Sequence, residues 1–360
     1  MSKRLGILTG GGDCPGLNAV IRAAAKTAYA HGYELYGFLD GYTGVVEGRY
    51  IKLDPPAISG LLHRGGTILG TNNRNDPFHF PVREGDKVVY RDMSWKALEN
   101  LERLGIEILL VIGGDGTLAG ARDLKAKGAR IIGIPKTIDN DLKATDQTFG
   151  FDTAVRTATD ALDKLHTTAE SHHRVMVLEL MGRYAGWIAL YSGLAGGADV
   201  ILIPEIPWTP EGVIKKIEAR RAEGKPFSIV VVAEGVRSPS GELVVQRRVE
   251  GSVEKVRLGG IGQLVAQIIE EKTGIETRVT VLGHIQRGGS PSSYDRVLAT
   301  RFGVAAAELA VKGVHGVMVC LRGNDISYVP LEEVAGEPRT VPVDHPLIHT
   351  ARAIGISFGD

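Results

Sequence analysis

The sequence predicts an α/β protein made of two doubly wound lobes with mainly parallel sheets and an active-site cleft between them. Nine short apolar runs recur along the 360 residues, with helix-period segments between them and glycine-rich turns after several of them. The runs are apolar at consecutive positions and do not alternate, which is typical of parallel strands covered on both faces. Repeated strand–helix–strand order indicates right-handed crossovers. Nine strands are many for one sheet, which favours two lobes.

The predicted strands are the apolar runs themselves. They are Leu5–Thr9, Glu34–Leu39, Ile108–Gly113, Arg130–Pro135, Arg174–Leu180, Val200–Pro204, Ser228–Glu234, Arg278–Leu282 and Val317–Leu321.

Four helices are predicted between these strands, and three of them close at a glycine suited to the C-cap (Gly32, Gly128 and Gly274). The third helix has its apolar residues on one face. Residues 235–258 are predicted to form a polar excursion with a hairpin. The predicted helices are Leu17–His31, Thr117–Lys127, a segment that follows Asp152 as its N-cap, and Gln263–Lys272.

The order of these elements divides the chain into two lobes. The first lobe is predicted to comprise residues 1–150 plus about 291–340, and the second 151–290 plus about 341–360. In doubly wound sheets, ligands bind at the carboxyl ends of the strands. The residues that follow each strand are therefore the candidates for function.

Composition excludes several classes of protein. Lys plus Arg and Asp plus Glu both count 42, so no excess of positive charge favours nucleic acid or an anionic membrane. Only Cys14 and Cys320 are present, which excludes a disulfide framework and a purely Cys-based zinc site. No apolar run approaches the roughly 20 residues that cross a bilayer. The start of the chain resembles a first strand more than a signal peptide, so we expect a cytoplasmic protein.

The first predicted strand ends in the loop Thr9-Gly10-Gly11-Gly12-Asp13-Cys14-Pro15-Gly16, which runs directly into a helix. Glycines let backbone N–H groups approach a phosphate closely, and the helix N-terminus adds partial positive charge. The loop matches neither the dinucleotide fingerprint nor a P-loop. A phosphate site and a simple tight turn are therefore both open at this point.

An acidic residue stands among glycines after the third strand, in Gly113-Gly114-Asp115-Gly116-Thr117. A carboxylate there suits Mg²⁺, which takes one or two carboxylates and completes its shell with phosphate oxygens and water. The alternative is that Asp115 only caps the following helix.

Two carboxylates follow the fourth strand, in Pro135-Lys136-Thr137-Ile138-Asp139-Asn140-Asp141. Carboxylates two residues apart in a turn can serve one reacting centre, one as general base toward a hydroxyl and the other on Mg²⁺ through water. A surface Asx-turn is the alternative for such a sequence. The position directly after an apolar strand favours function.

Arginine and histidine gather near two later strands. His284 and Arg287 follow the strand that Arg278 opens, while Arg174 opens an earlier strand and Arg183 follows it. Guanidinium groups match phosphate oxygens, so this supply suits a phosphorylated substrate. Singly, such residues are more often solvated or structural.

Together these motifs resemble the 6-phosphofructokinases. Gly-Gly-Asp-Cys-Pro-Gly, Gly-Gly-Asp-Gly-Thr, Pro-Lys-Thr-Ile-Asp-Asn-Asp, Met-Gly-Arg-Tyr-Ala-Gly and Gly-His-Ile-Gln-Arg-Gly-Gly occur in the order and spacing of that family, from Leu5 to about residue 320. Gly-Gly-Asp-Gly-Thr alone is weak, because NAD kinases and lipid kinases resemble it. The five motifs together are highly specific.

The resemblance implies transfer of a phosphoryl group from MgATP to the 1-hydroxyl of fructose 6-phosphate, a step of glycolysis. Asp139 would be the base, with Thr137 beside it. Mg²⁺ would be placed by Asp115 and, through water, by Asp141. The further catalytic groups it implies are Gly12, whose N–H would meet the transferring phosphoryl group, and Arg183, which would stabilise its charge.

The resemblance also implies the binding residues. On the nucleotide side they are Gly12, Tyr42, Arg74, Asp115, Gly116, Thr117 and Gly120, all in the first lobe. On the sugar side they are Thr137, Asp139, Arg174, Met181, Gly182, Arg183, Glu234, Arg278, His284 and Arg287. Arg174 and Arg278 resemble residues that reach the sugar phosphate from a neighbouring subunit, which implies a homo-oligomer, commonly a tetramer.

Two positions bear on the phosphoryl donor. Gly116 resembles the residue that ATP-dependent members of the family carry at this position, whereas pyrophosphate-dependent members carry Asp. A side chain at this position would occupy the space of the nucleotide's α-phosphate. Lys136 resembles the residue that pyrophosphate-dependent members carry at this position, whereas the familiar bacterial ATP-dependent enzymes have Gly there. The subgroup that combines Gly and Lys is largely ATP-dependent, so we expect ATP, with pyrophosphate as the alternative.

Two other functions compete with this interpretation. A kinase acting on NAD or a lipid would explain Gly113–Thr117 but not Gly283–Gly289. A non-catalytic sugar-phosphate-binding regulator would keep the arginines and histidine but would have no use for the Asp139 and Asp141 pair.

Overall fold

The computed structural model describes residues 3–72, 76–85, 87–248, 256–334, 336 and 338–360. The chain divides into two compact units. Unit 1 comprises Met1–Thr137, Leu142–Gly150 and Arg287–Glu337, and unit 2 comprises Ile138–Asp141, Phe151–Gln286 and Pro338–Asp360. The predicted α/β class with mainly parallel sheets is confirmed.

Fifteen strands are present in the described residues. In chain order they are β1 (Lys3–Thr9), β2 (Tyr33–Phe38), β3 (Tyr50–Lys52), β4 (Phe80–Glu84), β5 (Lys87–Arg91), β6 (Ile106–Gly113), β7 (Ile131–Pro135), β8 (Val175–Leu180), β9 (Val200–Leu202), β10 (Ser228–Ala233), β11 (Val245–Arg248), β12 (Val256–Leu258), β13 (Thr277–Val281), β14 (Val317–Arg322) and β15 (Asp325–Pro330).

Ten α-helices lie between the strands in the same part of the chain, with short 3₁₀ helices at Gly283–Arg287 and Leu331–Glu333. The α-helices are α1 (Leu17–Ala30), α2 (Tyr42–Glu47), α3 (Ser94–Arg103), α4 (Asp115–Ala126), α5 (Phe151–His172), α6 (Trp187–Ala195), α7 (Pro210–Ala222), α8 (Ile261–Thr273), α9 (Ser293–Val311) and α10 (Pro346–Ala353).

The main sheet of unit 1 has the strand order β15-β14-β7-β6-β1-β2-β3. Its five inner strands are parallel, and the edge strands β15 and β3 run antiparallel to their neighbours. From β1 the chain winds to β2 on one side and later to β6 and β7 on the other. The winding direction therefore reverses between β1 and β6, and in such sheets ligands bind beside that point.

The sheet of unit 2 is parallel throughout, in the order β13-β8-β10-β9. Strands β8, β9 and β10 are buried at every position, which explains why their sequences are apolar apart from Glu179 and Ser228. The chain winds from β8 to β9 and β10 on one side and to β13 on the other. The reversal in this unit therefore lies between β8 and β13.

Helix α1 packs closely against α9 in unit 1 because both present small residues. A Cβ on Gly303 of α9 would lie 2.6 Å from the carbonyl oxygen of Val20 and 2.9 Å from Cβ of Ala23. Ala23 and its neighbour Ala24 are buried in α1. This contact fixes the start of α1, and with it the end of the glycine-rich loop that precedes it.

All nine predicted strands are present, with ends displaced by no more than two residues. Strands β3, β4, β5 and β15 were not predicted, because they are edge or hairpin strands with mostly exposed or half-buried residues. The N-cap prediction for Asp152 is wrong, since α5 begins at Phe151 and Asp152 lies in its first turn. The excursion at 235–258 contains the antiparallel pair β11 and β12, and residues 249–255 between them lie outside the described residues.

Nowhere in the described ranges is a helix long and apolar enough to cross a membrane.

Candidate functional site

The loops after β1 and β6 are joined at the point where the winding of the unit 1 sheet reverses. The N–H of Gly10 donates to the carbonyl oxygen of Ile112 at 2.8 Å, directly before the Gly113–Thr117 segment. Thr71 supports the loop from outside, since its hydroxyl donates to the Gly11 carbonyl at 2.6 Å. The two glycine-rich motifs of the sequence therefore form one edge.

Thr117 fills the gap between these two motifs. A Cβ on Gly10 would lie 2.5 Å from its Cγ2, and a Cβ on Gly113 would lie 2.3 Å from its Cβ, so neither position has room for a side chain. Its carbonyl oxygen accepts a hydrogen bond from the Tyr42 hydroxyl at 2.7 Å. The Thr117 side chain thus packs between the loops, and the Tyr42 ring lies 3.2 Å from where a Cβ on Gly120 would be.

Two cationic side chains flank Gly12. The ammonium of Lys136, which is only 3% exposed, donates to the Gly12 carbonyl oxygen. On the other side, a Cβ on Gly12 would lie 2.5 Å from Nη1 of Arg287, and this guanidinium donates to the Asp13 carbonyl at 3.3 Å. A glycine loop with two cations beside it can bind an anion such as a phosphate.

Asp115 and Gly116 open helix α4, and both are exposed. A carboxylate in the first turn of a helix is favoured by the helix dipole, so Asp115 is stable there as an anion. No three His, Cys, Asp or Glu side chains in the described part of the chain are grouped so as to hold a metal by themselves.

Burial shifts two titrating groups near this edge. It raises the pKa of the Tyr42 hydroxyl well above its ordinary value, so this hydroxyl is a permanent hydrogen-bond donor. Burial also raises the pKa of the Cys14 thiol, which donates to the carbonyl oxygen of Phe149 at 3.6 Å. Because a thiolate is the reactive form, Cys14 is an inert structural residue.

The second acidic segment, Ile138–Asp141, belongs to unit 2. Asp139 is 3% exposed, and Asn140 has the uncommon backbone angle φ +54°. Arg339, from the later part of the chain, contacts this segment twice. Its side-chain Nε donates to the Asn140 carbonyl at 3.2 Å, and its backbone N–H donates to the Asp141 carbonyl at 2.7 Å. The segment is therefore a buried loop held at its backbone, unlike a surface turn.

The carboxyl edge of the unit 2 sheet gathers the predicted sugar-side residues that follow β8, β10 and β13. The N–H of Arg183 donates to Oε1 of Glu234 at 3.2 Å, which joins the loops after β8 and β10. Gln286 joins the loops after β8 and β13, since its Oε1 accepts from the N–H of Met181 at 2.8 Å. Gly182 lies between Met181 and Arg183, and His284 is exposed at the same edge.

Arg174 and Arg278 lie at the opposite, amino edge of this sheet. Both pair with Glu276, Arg174 through a 2.7 Å contact, and hydrogen bonding from Arg174 lowers the pKa of Glu276. The length of β8 separates them from Met181 by roughly 20 Å, at 3.3 Å per residue. The structure therefore does not bring these arginines to the sugar-side residues of the same chain. Arg74 lies outside the described residues.

Sequence reasoning missed several supporting residues. Gln286 is fully buried, and its place inside the Gly-His-Ile-Gln-Arg-Gly-Gly motif was an available signal. Thr148 supports Thr137 by donating to its carbonyl oxygen at 2.7 Å. Trp187 directly follows the Met-Gly-Arg-Tyr-Ala-Gly motif, which was an available signal, whereas Arg339 lies in none of the five motifs.

The fold and these edges define a class of α/β protein in which glycine-rich, cation-flanked loops lie at the reversal points of parallel sheets, an arrangement suited to phosphorylated ligands. The family model for phosphofructokinase matches residues 4–310. The chain belongs to the phosphofructokinase family, which confirms the resemblance of its motifs.

Individual relatives agree with this family and differ in donor. The chain is 54% identical to the ATP-dependent 6-phosphofructokinase 2 of Clostridium perfringens, over 99% of both chains. It is 50% identical to the pyrophosphate–fructose 6-phosphate 1-phosphotransferase of Streptomyces coelicolor, over 99% of this chain and 100% of that one. Among solved structures, it is similar to Pichia pastoris phosphofructokinase in the T-state, with a TM-score of 0.80, 34% identity and coverage of 92% of this chain and 35% of that one.

Proposed function

We propose that this protein is an ATP-dependent 6-phosphofructokinase. It transfers the terminal phosphoryl group of ATP to the 1-hydroxyl of fructose 6-phosphate, giving fructose 1,6-bisphosphate and ADP, in the glycolysis of the cytoplasm. The proposed nucleotide residues all belong to unit 1, and the proposed sugar residues belong to unit 2 except for Thr137 and Arg287. Relatives of the full chain at 51–54% identity that carry the name ATP-dependent 6-phosphofructokinase support this assignment.

The observation on which the proposal depends most is the Ile138–Asp141 loop, with its nearly buried Asp139 and its backbone bound by Arg339. A general base must lie within hydrogen-bond reach of the proton that it takes, so a fixed loop suits the role. In the proposed mechanism Asp139 accepts the proton of the 1-hydroxyl, with Thr137 beside it. Gly12 donates its N–H to the transferring phosphoryl group, and Arg183 stabilises its charge. Placement and charge neutralisation supply most of the catalysis in such transfers.

Two sets of residues would bind the substrates. The nucleotide set is Gly12, Tyr42, Arg74, Asp115, Gly116, Thr117 and Gly120. The sugar set is Thr137, Asp139, Met181, Gly182, Arg183, Glu234, His284 and Arg287, with Arg174 and Arg278 supplied by a second subunit. The cation pair beside Gly12 and the link between Arg183 and Glu234 support these sets.

The cofactor in this proposal is Mg²⁺. Its protein ligands would be Asp115 and, through water, Asp141. The donor set fits, because Mg²⁺ accepts one or two carboxylates together with phosphate oxygens and water. Asp115 is exposed and Asp141 is half-buried. Bound there, the ion would neutralise charge on the donor phosphates.

ATP is proposed as the donor because of Gly116. This residue lies in the first turn of α4, is exposed, and has no side chain to occupy the space or repel the charge of an α-phosphate. Lys136 favours pyrophosphate as the donor, because pyrophosphate-dependent members of the family carry Lys at this position. Its ammonium donates to the Gly12 carbonyl, a contact that places a cation beside the loop for either donor.

The donor test measures turnover of fructose 6-phosphate with Mg²⁺ and either ATP or pyrophosphate. We expect faster turnover with ATP. The variant Gly116→Asp has a backbone compatible with any residue, since Gly116 is helical, so it should fold and lose ATP use selectively. Faster turnover of the unaltered protein with pyrophosphate would reverse the donor assignment. Absence of turnover with both donors would exclude the enzyme and favour a sugar-phosphate-binding regulator.

The oligomer is part of the same proposal. Because Arg174 and Arg278 lie at the amino edge of their own sheet, they would serve the sugar site of a neighbouring subunit, in a homo-oligomer that we propose to be a tetramer. Glu276, which pairs with both in the single chain, would hold their guanidinium groups in position. Light scattering of the purified protein measures the assembly directly, and a monomer with full activity would exclude this part of the proposal.

A further inference from the structure

Arg339 forms a bridge between the acidic loop and the loop that carries Arg183, all within unit 2. On one side the side-chain Nε of Arg339 donates to the Asn140 carbonyl oxygen at 3.2 Å, and its backbone N–H donates to the Asp141 carbonyl oxygen at 2.7 Å. On the other side its carbonyl oxygen accepts from Nε1 of Trp187 at 2.9 Å. Its guanidinium also lies over the Trp187 ring, 4.8 Å from the centroid.

Trp187 is well placed to transmit this contact. It is 5% exposed and is the first residue of α6, four positions after Arg183. The indole also meets the His345 ring edge-on at 5.2 Å, so it cannot turn freely. Cation–π contacts with desolvated indoles are among the stronger of their kind.

Glu205 closes the bridge at its other end. Its carboxylate accepts from the N–H of Gly186 at 2.9 Å and from the N–H of Val341 at 2.8 Å. Gly186 adjoins Trp187, and Val341 follows Arg339 by two positions. Glu205 therefore fixes the backbone beside both residues of the bridge. Burial raises the pKa of Glu205, and the backbone donors oppose that shift.

We propose that Arg339, supported by Trp187, is a positioning residue for the phosphoryl transfer, which sets the direction of the Asp139 carboxylate by fixing the backbone of the next two residues. The backbone at Asn140 is left-handed, at φ +54°, a conformation that is uncommon outside glycine and that asparagine adopts more readily than most residues. Two hydrogen bonds from Arg339 help to hold the loop in this conformation. This inference rests on the proposed function, because it assigns Arg339 to that reaction.

The test compares Arg339→Met with Arg352→Met. Arg352 is a matched control in the same unit, since its guanidinium also donates a hydrogen bond, to the Asp360 carboxylate at 3.1 Å, and also lies over an aromatic ring, that of Phe358 at 5.1 Å. For Arg339→Met we expect kcat to fall about 10- to 100-fold, because small misplacements of reacting groups have effects of that order. The dissociation constant for fructose 6-phosphate, measured by calorimetry without donor, should stay within about threefold.

Unchanged kcat in Arg339→Met, or a fall no larger than in Arg352→Met, would overturn the inference. An equal fall in kcat and in the number of sugar-binding sites per chain would overturn it too, since that indicates a general loss of folded protein. If Arg339→Met does not fold, Trp187→Phe replaces it, because it removes the Nε1 donor and keeps an aromatic face. It should lower kcat at least threefold with sugar binding retained, and wild-type kcat would count against the bridge.

Hydrogen exchange separates this inference from the proposed function. In Arg339→Met the peptide covering residues 137–142 should exchange faster, while peptides from β8 and β10 should not change. This readout needs no substrate. Unaltered protein without turnover would therefore refute the function alone, whereas unaltered exchange in the variant would refute the bridge alone.

Discussion

Alanine at Gly12 tests whether the glycine-rich loop of unit 1 works as a phosphate cradle. The new methyl group would lie 2.5 Å from Nη1 of Arg287 and 3.1 Å from its Cζ. The guanidinium is the far end of a long side chain and can move aside, so we expect the free energy of unfolding to change by less than about 1 kcal/mol. Displacing a charged hydrogen-bond donor removes about 1.5–3 kcal/mol of binding, which corresponds to about a 10- to 150-fold fall in kcat/KM.

Alanine at Gly10 is the matched comparison two residues earlier. Its methyl group would lie 2.5 Å from Cγ2 of Thr117 and 2.8 Å from Oγ1. Thr117 is β-branched and wedged between two loops, so it cannot move aside, and overpacking of this kind costs about 1–3 kcal/mol. Adding Thr117→Ala should restore most of that stability.

The assays are urea unfolding for stability and steady-state kinetics for kcat/KM with fructose 6-phosphate. Gly12→Ala should lose activity with little loss of stability, and Gly10→Ala should lose stability first. Full activity in Gly12→Ala would refute the cradle. Equal loss of stability in the two variants would refute the distinction between a movable arginine and a fixed threonine.

Three further predictions concern the base, the assembly and the pH dependence of stability. Asp139→Asn should lower kcat by about 10²- to 10⁴-fold with sugar binding retained, and near-normal kcat would exclude Asp139 as the base. The variants Asp139→Asn and Arg278→Ala should each be inactive alone, and mixing them should restore about a quarter of wild-type activity after subunit exchange. Half of the pairs of neighbouring subunits are then hybrids, and each hybrid pair has one intact site of two. No recovery would show that Arg278 does not act across subunits. Burial, and then the charge of Arg339, lower the pKa of His345 below 6.5, and its Nδ1 accepts from the N–H of Leu347, so stability should be full above that pH and fall as the ring is protonated below it. His345→Asn keeps an acceptor that does not titrate, and its unfolding free energy should change less between about pH 7.5 and about 5.5; the same pH dependence as wild type would contradict the assignment.

Much of the fold follows from the sequence because the inner strands are covered on both faces. Most positions of each such strand are apolar, and the apolar run ends where the polypeptide reaches the ligand-binding edge. That is why the segments at Gly12, Asp115 and Asp139 could be located without coordinates. Edge strands such as β15 are mostly exposed and mix apolar with polar residues, so they leave no comparable signal.

The supporting residues could not be predicted, because their roles depend on contacts between distant parts of the chain. Arg339 is 199 residues from Asn140 in sequence, and its neighbours form no recognisable motif. Thr117 stands in a motif that suggests nucleotide binding, whereas its side chain packs against the two glycine loops. Arg174 and Arg278 open their predicted strands, so the sequence itself places them at the amino ends, but their shared ion pairing with Glu276 is visible only in the structure.

The discontinuity of the two units has a consequence for the order in which the protein is made. When residue 286 has left the ribosome, all four strands of the unit 2 sheet exist, but unit 1 still lacks β14 and α9. Helix α1, synthesised first among the helices, then exposes the alanine surface that α9 later covers. The acidic loop stays without Arg339 until still later. The early segments of the chain must therefore avoid aggregation while they await partners hundreds of residues downstream, and the site is among the last parts of the molecule to be assembled.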